Sequence, residues 1–355
     1  MKIKTTLAIC LSAAFAFKAG AQTKAEYKAR IDTLYSGVQQ HLYDAAAGLY
    51  YEDTKPESKK RHSYLWPLCA LVQGADEMDK LEPKKNRIDS VLAAIQKYYR
   101  PTAPAPGYQA MVVHDEKDSR FYDDNQWIGI AGLDAYNRTH NKKYLELGKL
   151  IHRFQLTAYD DKAGGGLYWK EDERTTKNTC SNGPAVLIAL QLYKITKEKK
   201  YLDTALLIYN WTNKNLQAPS GVFYDNIKIP SLNVDKATYT YNSGTMLQAN
   251  VLLYTITKDK KYLTEAKRIA DASKAHFYCN GRLPGNYWFN AVLIRGYVEL
   301  YQVEKDKSRL QFIIDDANAI WKTEREGNLI GKKKEKALID QGAMIEIYGR
   351  LASLK

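Results

Sequence analysis

The segment EKKYLDTALLIYNW, residues 198–211, decides the fold because the chain repeats it. Similar segments begin at Asn141 (NKKYLELGKLIHRF) and at Asp259 (DKKYLTEAKRIADA). Each carries Lys-Tyr-Leu followed by apolar residues at helical spacing, and the triplets recur at intervals of 57 and 61 residues. Self-similarity at such a period is typical of a repeated two-helix unit.

Each amphipathic segment follows a segment of a different kind, which is apolar on almost every side. The three clearest examples are WIGIAGLDAY (127–136), PAVLIALQLY (184–193) and TMLQANVLLY (245–254). Helices that are hydrophobic all round are buried, whereas helices with one apolar stripe lie at the surface. The sequence therefore predicts hairpins that pair one inner helix with one outer helix.

This alternation extends in both directions along the chain and predicts twelve helices. The six outer helices are expected near residues 25–43, 86–99, 143–157, 200–216, 261–276 and 307–322. The six inner helices are expected near residues 64–75, 125–137, 183–195, 243–256, 288–301 and 341–351. No run alternates with period two, so strands are expected only as minor β-hairpins in loops. We predict an all-α fold, an (α/α)6 barrel, formed by a single domain over residues 22–355.

The first residues predict export. Lys2 and Lys4 precede an apolar run at 7–17, and Ala19-Gly20-Ala21 supplies a small-residue cleavage site. This pattern is typical of a secretory signal peptide, which we place at residues 1–21. A periplasmic or extracellular location follows from it. No later run is apolar enough to span a membrane, so we expect a soluble monomer without membrane insertion.

Composition narrows the function classes further. The chain has 355 residues and a formal net charge of +13, with 53 Lys and Arg against 40 Asp and Glu. Its lysines cluster in solvated turns such as KEKK, so we do not expect a nucleic-acid partner. Cys69, Cys180 and Cys279 are too widely spaced for a zinc site or a disulfide framework. We therefore expect no metal and no cofactor, and we expect Cys69 and Cys180 to be buried packing residues.

Loop lengths locate the candidate site. Each inner helix leads to the next outer helix by a short turn, whereas the return connections are long, and long ordered loops are usually functional. The residues that begin the inner helices should therefore ring one cavity. Asp123 and Asp124 lie at such a position, and adjacent like charges are costly unless protons or partners relieve them. A second pair, Asp160 and Asp161, lies in a glycine-rich turn and is expected to form that turn only.

Paired carboxylates are the usual equipment for cleaving a glycosidic bond. Consecutive Cα atoms lie about 3.8 Å apart, which suits the close carboxyl spacing of retaining enzymes better than the wider inverting gap. The chain also contains 27 Tyr and 6 Trp, whose flat faces suit the apolar faces of sugar rings. These features predict a retaining glycoside hydrolase.

Four motifs in fixed order strengthen this prediction: YDDNQW (122–127), KNTCSNGPA (177–185), TYTYNSG (238–244) and DQGAM (340–344). Together they resemble glycoside hydrolase family 76, the endo-α-1,6-mannanases, over nearly the whole chain. The resemblance implies an (α/α)6 barrel, mannan or mannooligosaccharides as substrate, and cleavage of α-1,6-mannosidic linkages by double displacement. It implies that Asp123 is the nucleophile and Asp124 the general acid/base. One departure is Asn290, where the family commonly has lysine.

The positions at which the inner helices begin, together with the resemblance, predict the residues that contact the sugar. This set is Trp66, Trp127, Lys177, Asn178, Asn182, Asp225, Tyr241, Asn242, Trp288, Asp340 and Gln341. Asparagine is also a common helix N-cap, so capping alone remains an alternative for Asn182 and Asn242.

Two other functions remain open from the sequence. A sugar epimerase of the same barrel type uses histidines near the helix mouths, and only His62 and His114 lie in long loops here. A catalytically silent mannan-binding protein is the second alternative. Activity on a linear α-1,6-mannooligosaccharide separates a hydrolase from a binding protein.

Overall fold

The computed structural model describes residues 23–354 and confirms the predicted all-α barrel. Its helices, named α1 to α12 in chain order, are Lys24–His41, Leu65–Leu81, Arg87–Ile95, Tyr122–Thr139, Lys142–Leu156, Thr179–Thr196, Lys199–Leu216, Thr240–Thr257, Lys260–Phe277, Tyr287–Glu304, Gln311–Thr323 and Leu338–Ala352. The signal-peptide prediction for residues 1–21 lies outside the described residues. Within the described part, no helix is long and apolar enough to cross a membrane.

The even-numbered helices form a closed inner ring. Each packs against the next even-numbered helix, from α2 through α4, α6, α8 and α10 to α12, and α12 packs against α2 to close the circle. The odd-numbered helices form the outer layer, and α1 lies against α12. The inner helices are buried on most sides, whereas the outer helices bury one stripe, as their sequences predict.

Four inner helices, α4, α6, α8 and α12, begin about three residues earlier than their apolar patterns indicate. For example, α6 begins at Thr179 and α8 at Thr240. The side chains of the residues before these four helices accept no capping hydrogen bond from the first turn, and the added first turns contain polar residues. Periodicity does not detect such a turn, because its polar side chains are buried by the loops above it.

Long loops on one end carry the short strands. The strands, β1 to β9 in chain order, are Tyr43–Asp44, Leu49–Tyr50, Tyr99–Arg100, Gly107–Tyr108, Thr176–Asn178, Tyr224–Lys228, Val234–Thr238, Arg325–Glu326 and Leu329–Ile330. Strands β5, β6 and β7 form an antiparallel sheet, and the others pair as two-stranded hairpins. All of these strands lie in the connections that lead into inner helices, so they line the end of the barrel where the candidate site was expected.

Buried charged side chains fill the interior of the ring away from the long loops. Arg295 forms an ion pair with Asp134 and donates to Gln73 and Gln248, and Glu346 pairs with Arg350. Each charge has a partner of opposite sign, which is what burial requires. This network fills the lower interior, so the open space in the barrel lies at the long-loop end.

Candidate active site

A cavity of about 840 Å³ opens at the long-loop end of the barrel. This volume lies within the range of about 300–1,000 Å³ that small-molecule sites occupy. Its walls are aromatic and acidic. The lining residues are Glu52, Tyr64, Trp66, Pro67, Ala110, Asp118, Phe121, Asp123, Asp124, Trp169, Thr176, Asn178, Cys180, Asp225, Asn226, Tyr239, Tyr241, Asn242 and Phe289.

Asp123 and Asp124 occupy the first turn of α4 at the bottom of this cavity. Both residues are mostly buried, since 7% of the surface of Asp123 and 6% of the surface of Asp124 are exposed. The helix is held in place through Tyr122, whose backbone N–H donates to Trp169 O at 3.0 Å. The two acids are therefore fixed to a rigid element and still reach the cavity.

The surroundings of Asp123 favour its ionised form. Trp169 Nε1 donates to Asp123 Oδ2 at 3.3 Å, and the nearby Cys180 thiol and the backbone N–H groups at the start of α4 also lower the pKa of this carboxyl. Burial raises the pKa of Asp123 to about 6, and these hydrogen bonds limit the rise. Asp123 is thus a carboxylate at neutral pH, with its Oδ1 atom buried and without a hydrogen-bond partner.

Asp124 has the opposite surroundings. Burial, then the negative charge of Asp123, and then that of Asp118 raise the pKa of Asp124 well above its usual range. No hydrogen bond from the described residues stabilises the ionised form of this carboxyl. Both shifts have the same direction, and the larger rise at Asp124 favours the proton on Asp124 and the negative charge on Asp123.

Aromatic side chains form one wall of the cavity. Trp66, Tyr241 and Phe289 pack together, with ring centroids 5.4–6.4 Å apart. Across the cavity, Phe121 and Trp169 pack with centroids 5.0 Å apart. Trp169 is 38% exposed although it is large and apolar. Such rings offer flat apolar faces at a site whose base carries two carboxyl groups.

Polar acceptors form another wall. Asn178 and Asn226 lie opposite each other on β5 and β6, and the Oδ1 atom of each is buried without a partner. Asp225 accepts from Asn226 Nδ2 at 2.8 Å. Burial raises the pKa of Asp225, and hydrogen bonds from Asn226 and Asn242 oppose the rise. This wall lacks donors for its oxygen atoms.

The structure places seven of the thirteen predicted site residues on the cavity and six away from it. The seven that line the cavity are Trp66, Asp123, Asp124, Asn178, Asp225, Tyr241 and Asn242. The six that do not are Trp127, Lys177, Asn182, Trp288, Asp340 and Gln341. Each of the six lies outside the cavity lining, and the structure gives each of them another set of contacts, while their contact with a sugar stays a prediction.

Asn182 and Gln341 hold loops, and they are neither caps nor cavity residues. Asn182 accepts from Leu167 N at 2.8 Å and donates to Leu167 O at 3.0 Å. Gln341 forms the same pair of bonds with Ile330, at 2.9 and 2.7 Å. Asn125 does so with Tyr108. These amides lie at the fourth position of three inner helices, and each fastens a long loop across the helix mouth.

We expect Asn182→Ala to destabilise the protein by about 2–3 kcal/mol, because it leaves the buried N–H and C=O of Leu167 without partners. Thermal unfolding measures this loss. Asn215→Ala is the matched control, since Asn215 donates only to Trp211 O within its own outer helix, and it should change stability much less. If Asn182→Ala keeps its unfolding temperature but binds the sugar more weakly, the result would instead support the prediction that Asn182 contacts the sugar.

Lys177 is also structural. Its side chain is fully buried, and Nζ donates to Asp160 Oδ1 at 2.6 Å and to the carbonyl oxygens of Lys162 and Gly165 at 2.7 Å. Asp160 therefore organises the glycine-rich turn, which agrees with its predicted turn-forming role. The ammonium group has no free donor for a sugar.

Trp127 and Trp288 support the aromatic wall from behind. Both are fully buried, and their rings pack edge to face at 5.2 Å. Trp127 donates its indole N–H to the Tyr241 hydroxyl, and Trp288 packs against Trp66 at 5.7 Å. Asp340 is half-buried beside Gly331, and burial raises its pKa to about 6. Trp127 and Trp288 therefore pack behind the rings that line the cavity, and Asp340 lies outside the cavity lining.

Several cavity residues were missed by sequence reasoning. Cys180 was expected to be a buried packing residue, but it lines the cavity, and its thiol lowers the pKa of Asp123. Asp118 lies on a loop that carries no motif, whereas Glu52 and Asn226 each end a segment in which a turn with glycine is followed by aromatics. Trp169 had a usable signal, since it ends a turn with glycines and aromatics that recurs along the chain. Asn290, the departure from the family pattern, lies behind the cavity and binds Thr240 and Pro284 O.

The family comparison agrees with this geometry. The family model described as Glycosyl hydrolase family 76 matches residues 26–286. A mannan endo-1,6-alpha-mannosidase of Saccharomyces cerevisiae is 30% identical over 173 residues, which cover 44% of this chain. The same match covers 38% of the yeast protein, so this chain spans well under half of that relative's length.

Solved structures match over a greater length. A GH76 alpha-mannanase of Bacteroides thetaiotaomicron superposes with a TM-score of 0.85 at 26% identity, covering 92% of this chain and 95% of the other. An inactive variant of the alpha-1,6-mannanase of Salegentibacter sp. HEL1_6, in complex with alpha-1,6-mannotriose, superposes with a TM-score of 0.80 at 22% identity. That match covers 93% of this chain and all of the other, and it shows the shared fold.

Proposed function

Because the chain belongs to glycosyl hydrolase family 76, we propose that it cleaves α-1,6-mannosidic linkages within mannan or mannooligosaccharides, with retention of configuration. The observation that carries the proposal is the unequal environment of Asp123 and Asp124 at the base of an aromatic cavity. Named relatives support the substrate, since one is a mannan endo-1,6-alpha-mannosidase and another an alpha-mannanase. The signal-like residues 1–21 support action outside the cytoplasm.

The first step uses the two acids in different forms. Protonated Asp124 gives its proton to the glycosidic oxygen, and the bond from that oxygen to the anomeric carbon breaks. The Asp123 carboxylate attacks the anomeric carbon and forms an ester with it, while the leaving sugar departs with the transferred proton. The hydrogen bond from Trp169 stabilises the ionised form of the attacking carboxylate, and the nearby Cys180 thiol also lowers its pKa.

The second step reverses these roles. Asp124, now a carboxylate, accepts a proton from water, and the water oxygen attacks the anomeric carbon of the ester. Asp123 leaves as a carboxylate, and Asp124 regains its proton. Two displacements at one carbon return the α configuration. The aromatic wall formed by Trp66, Tyr241 and Phe289 suits the apolar face of a sugar ring.

We expect the first product of α-1,6-mannotetraose hydrolysis to be the α anomer. Proton NMR in the first minutes measures the ratio of anomers before mutarotation equalises it. A rise of the β anomer before the α anomer would contradict the retaining assignment and favour activation of water by one carboxylate. Absence of any cleavage would instead favour the binding-protein alternative.

An epimerase has less support from the described residues. His62 lies outside the cavity lining, with its ring stacked on Tyr51 and its Nε2 3.3 Å from Asp44 Oδ2. His114 is exposed and also lies outside the lining. A proton-transferring histidine is therefore not in reach of a sugar held in the cavity.

A further inference from the structure

We propose that the cavity selects its glycan by charge, accepting uncharged or amine-bearing sugars and rejecting sugars that carry phosphate or carboxylate. This inference rests on the proposed function for the position of the sugar, and it names a property of the substrate which that function leaves open.

The lining is acidic although the chain is basic. Five carboxyl-bearing residues line the cavity: Glu52, Asp118, Asp123, Asp124 and Asp225. Among the residues that line it between positions 23 and 354, none is Lys, Arg or His. The net charge of +13 is therefore carried elsewhere. Walls that present one sign of charge around a low-dielectric cleft focus their field into it.

Cations near the rim do not offset this field. Arg61 stacks over the ring of Tyr64 at 4.5 Å, but it faces Glu116 at 3.6 Å. Lys170 lies 5.6 Å from the centre of the Phe121 ring and pairs with Glu173 at 3.3 Å and with Asp172 at 3.8 Å. Each rim cation thus has an acidic neighbour. An anionic ligand would meet no unpaired cation at these two positions.

Unpartnered oxygen atoms indicate what the acidic wall binds. Asn178 and Asn226 are 7% and 6% exposed, line the cavity, and each has a buried Oδ1 atom without a partner. The Nδ2 group of Asn226 is already used by Asp225. The wall therefore needs donors from the ligand. Hydroxyl and ammonium groups donate, whereas a phosphate at neutral pH supplies mainly acceptor oxygens and negative charge.

Asp225 is the residue that best tests this selection. It lies beside both orphaned amides and carries a partly buried carboxyl group that the proposed mechanism does not use. An ammonium near Asp225 gains attraction, and a phosphate there meets a like charge that costs free energy. We expect an affinity difference of at least about tenfold between the two ligands, which is about 1.4 kcal/mol.

The experiment compares three ligands that differ at one position. They are methyl α-1,6-mannobiosides with a hydroxyl, an ammonium or a phosphate at C6 of the non-reducing sugar. Binding at pH 7 is followed by the fluorescence of the cavity tryptophans Trp66 and Trp169, so it does not depend on turnover. We expect the ammonium ligand to bind most tightly and the phosphate ligand most weakly. The difference in affinity between these two ligands should become smaller in 0.5 M salt, because salt screens the charges.

Two variants locate the effect. Asp225→Asn should reduce the ratio of the affinities for the ammonium and phosphate ligands several-fold. Asp203→Asn should leave this ratio unchanged. Asp203 is a suitable control because it lies on outer helix α7 and pairs with Lys199 in solvent. Equal affinities for the three ligands, tightest binding of the phosphate, or no response to Asp225→Asn would overturn the inference. Failure of all three ligands to bind would overturn it as well.

The ligand-binding test and the test of the proposed function can fail independently of each other. Cleavage of α-1,6-mannotetraose is measured on the same protein samples. If the sugar is cleaved but the order of the three ligands fails, only the charge selection is wrong. If the order holds without cleavage, the cavity selects by charge in a protein that is not a mannanase.

Discussion

Asp123→Asn is expected to abolish cleavage of α-1,6-mannotetraose, with a fall in turnover of at least about 10⁴-fold, or roughly 5.4 kcal/mol of transition-state stabilisation. The reason is that an amide does not attack the anomeric carbon to form the ester on which the second step depends. The loss should be the same for a mannoside with an activated leaving group, because the missing group is the nucleophile and not the acid.

A matched control is available within the same chain. Asp161→Asn alters another member of an Asp-Asp pair, but Asp161 is exposed and lies in a glycine-rich turn. It should retain nearly full activity. Asp123→Asn should keep its thermal stability, since it replaces a buried carboxylate, whose charge burial disfavours, by a neutral amide of similar shape. Rescue of Asp123→Asn by azide with a retained α-mannosyl azide as product would show that Asp123 is the acid/base and would reverse the assignment, whereas an inverted azide product supports its role as nucleophile.

Asp124→Asn is expected to show a loss that depends on the leaving group. Natural α-1,6 linkages require a proton on the departing oxygen, so their cleavage should fall by about 10²–10⁴-fold, the usual contribution of general acid–base catalysis. A mannoside with an activated leaving group needs little proton donation, so the glycosyl-enzyme should form and accumulate. A burst of leaving group in stopped-flow measurements detects it, and mass spectrometry of the quenched protein locates the ester on Asp123.

Azide separates the two steps in this variant. It attacks the anomeric carbon without needing a general base, so it should accelerate turnover of Asp124→Asn and yield an α-mannosyl azide. The wild-type enzyme should respond little, because its own base already activates water. Absence of rescue, together with equal losses on both kinds of substrate, would contradict the role of Asp124 as acid/base.

The pH profile of the wild-type enzyme follows from the same pair. Activity requires ionised Asp123, so the rate should rise with pH through about 6, the raised pKa of that carboxyl. Activity also requires protonated Asp124, so the rate should fall again as pH passes the pKa of Asp124, which burial and the charge of Asp123 raise. The rising and falling limbs of the profile report apparent pKa values that belong to the coupled pair. In Asp124→Asn the falling limb should be absent for activated substrates.

Much of the architecture was predictable because helical periodicity is a local property. The repeated Lys-Tyr-Leu segments and the apolar segments before them predicted twelve helices in two layers, and the structure has them. The starts of several inner helices were predicted late. The first turns of α4, α6, α8 and α12 contain buried polar residues, and only the loops above them make burial of these residues favourable.

The cavity was predicted less completely than the fold. Asp123 and Asp124 stood out because two acids adjoin at the mouth of an apolar helix, and no local role requires both. Asn182 and Gln341 have the same kind of position but bind loop backbone. Their side chains meet Leu167 and Ile330 respectively, and loop paths of this kind leave no periodic signal in the sequence.

The sequence alone determined the layered barrel, the end that bears the site and the two acids, because these depend on spacing along one chain. Only the tertiary structure decided which acid is ionised, because that depends on donors from distant segments. Trp169 donates to Asp123 and the Cys180 thiol lowers its pKa, whereas the pKa of Asp124 is raised by burial and by the charges of its neighbours. Desolvation and hydrogen bonding act through space, so identical neighbouring residues acquire different protonation states only once the loops have closed around them.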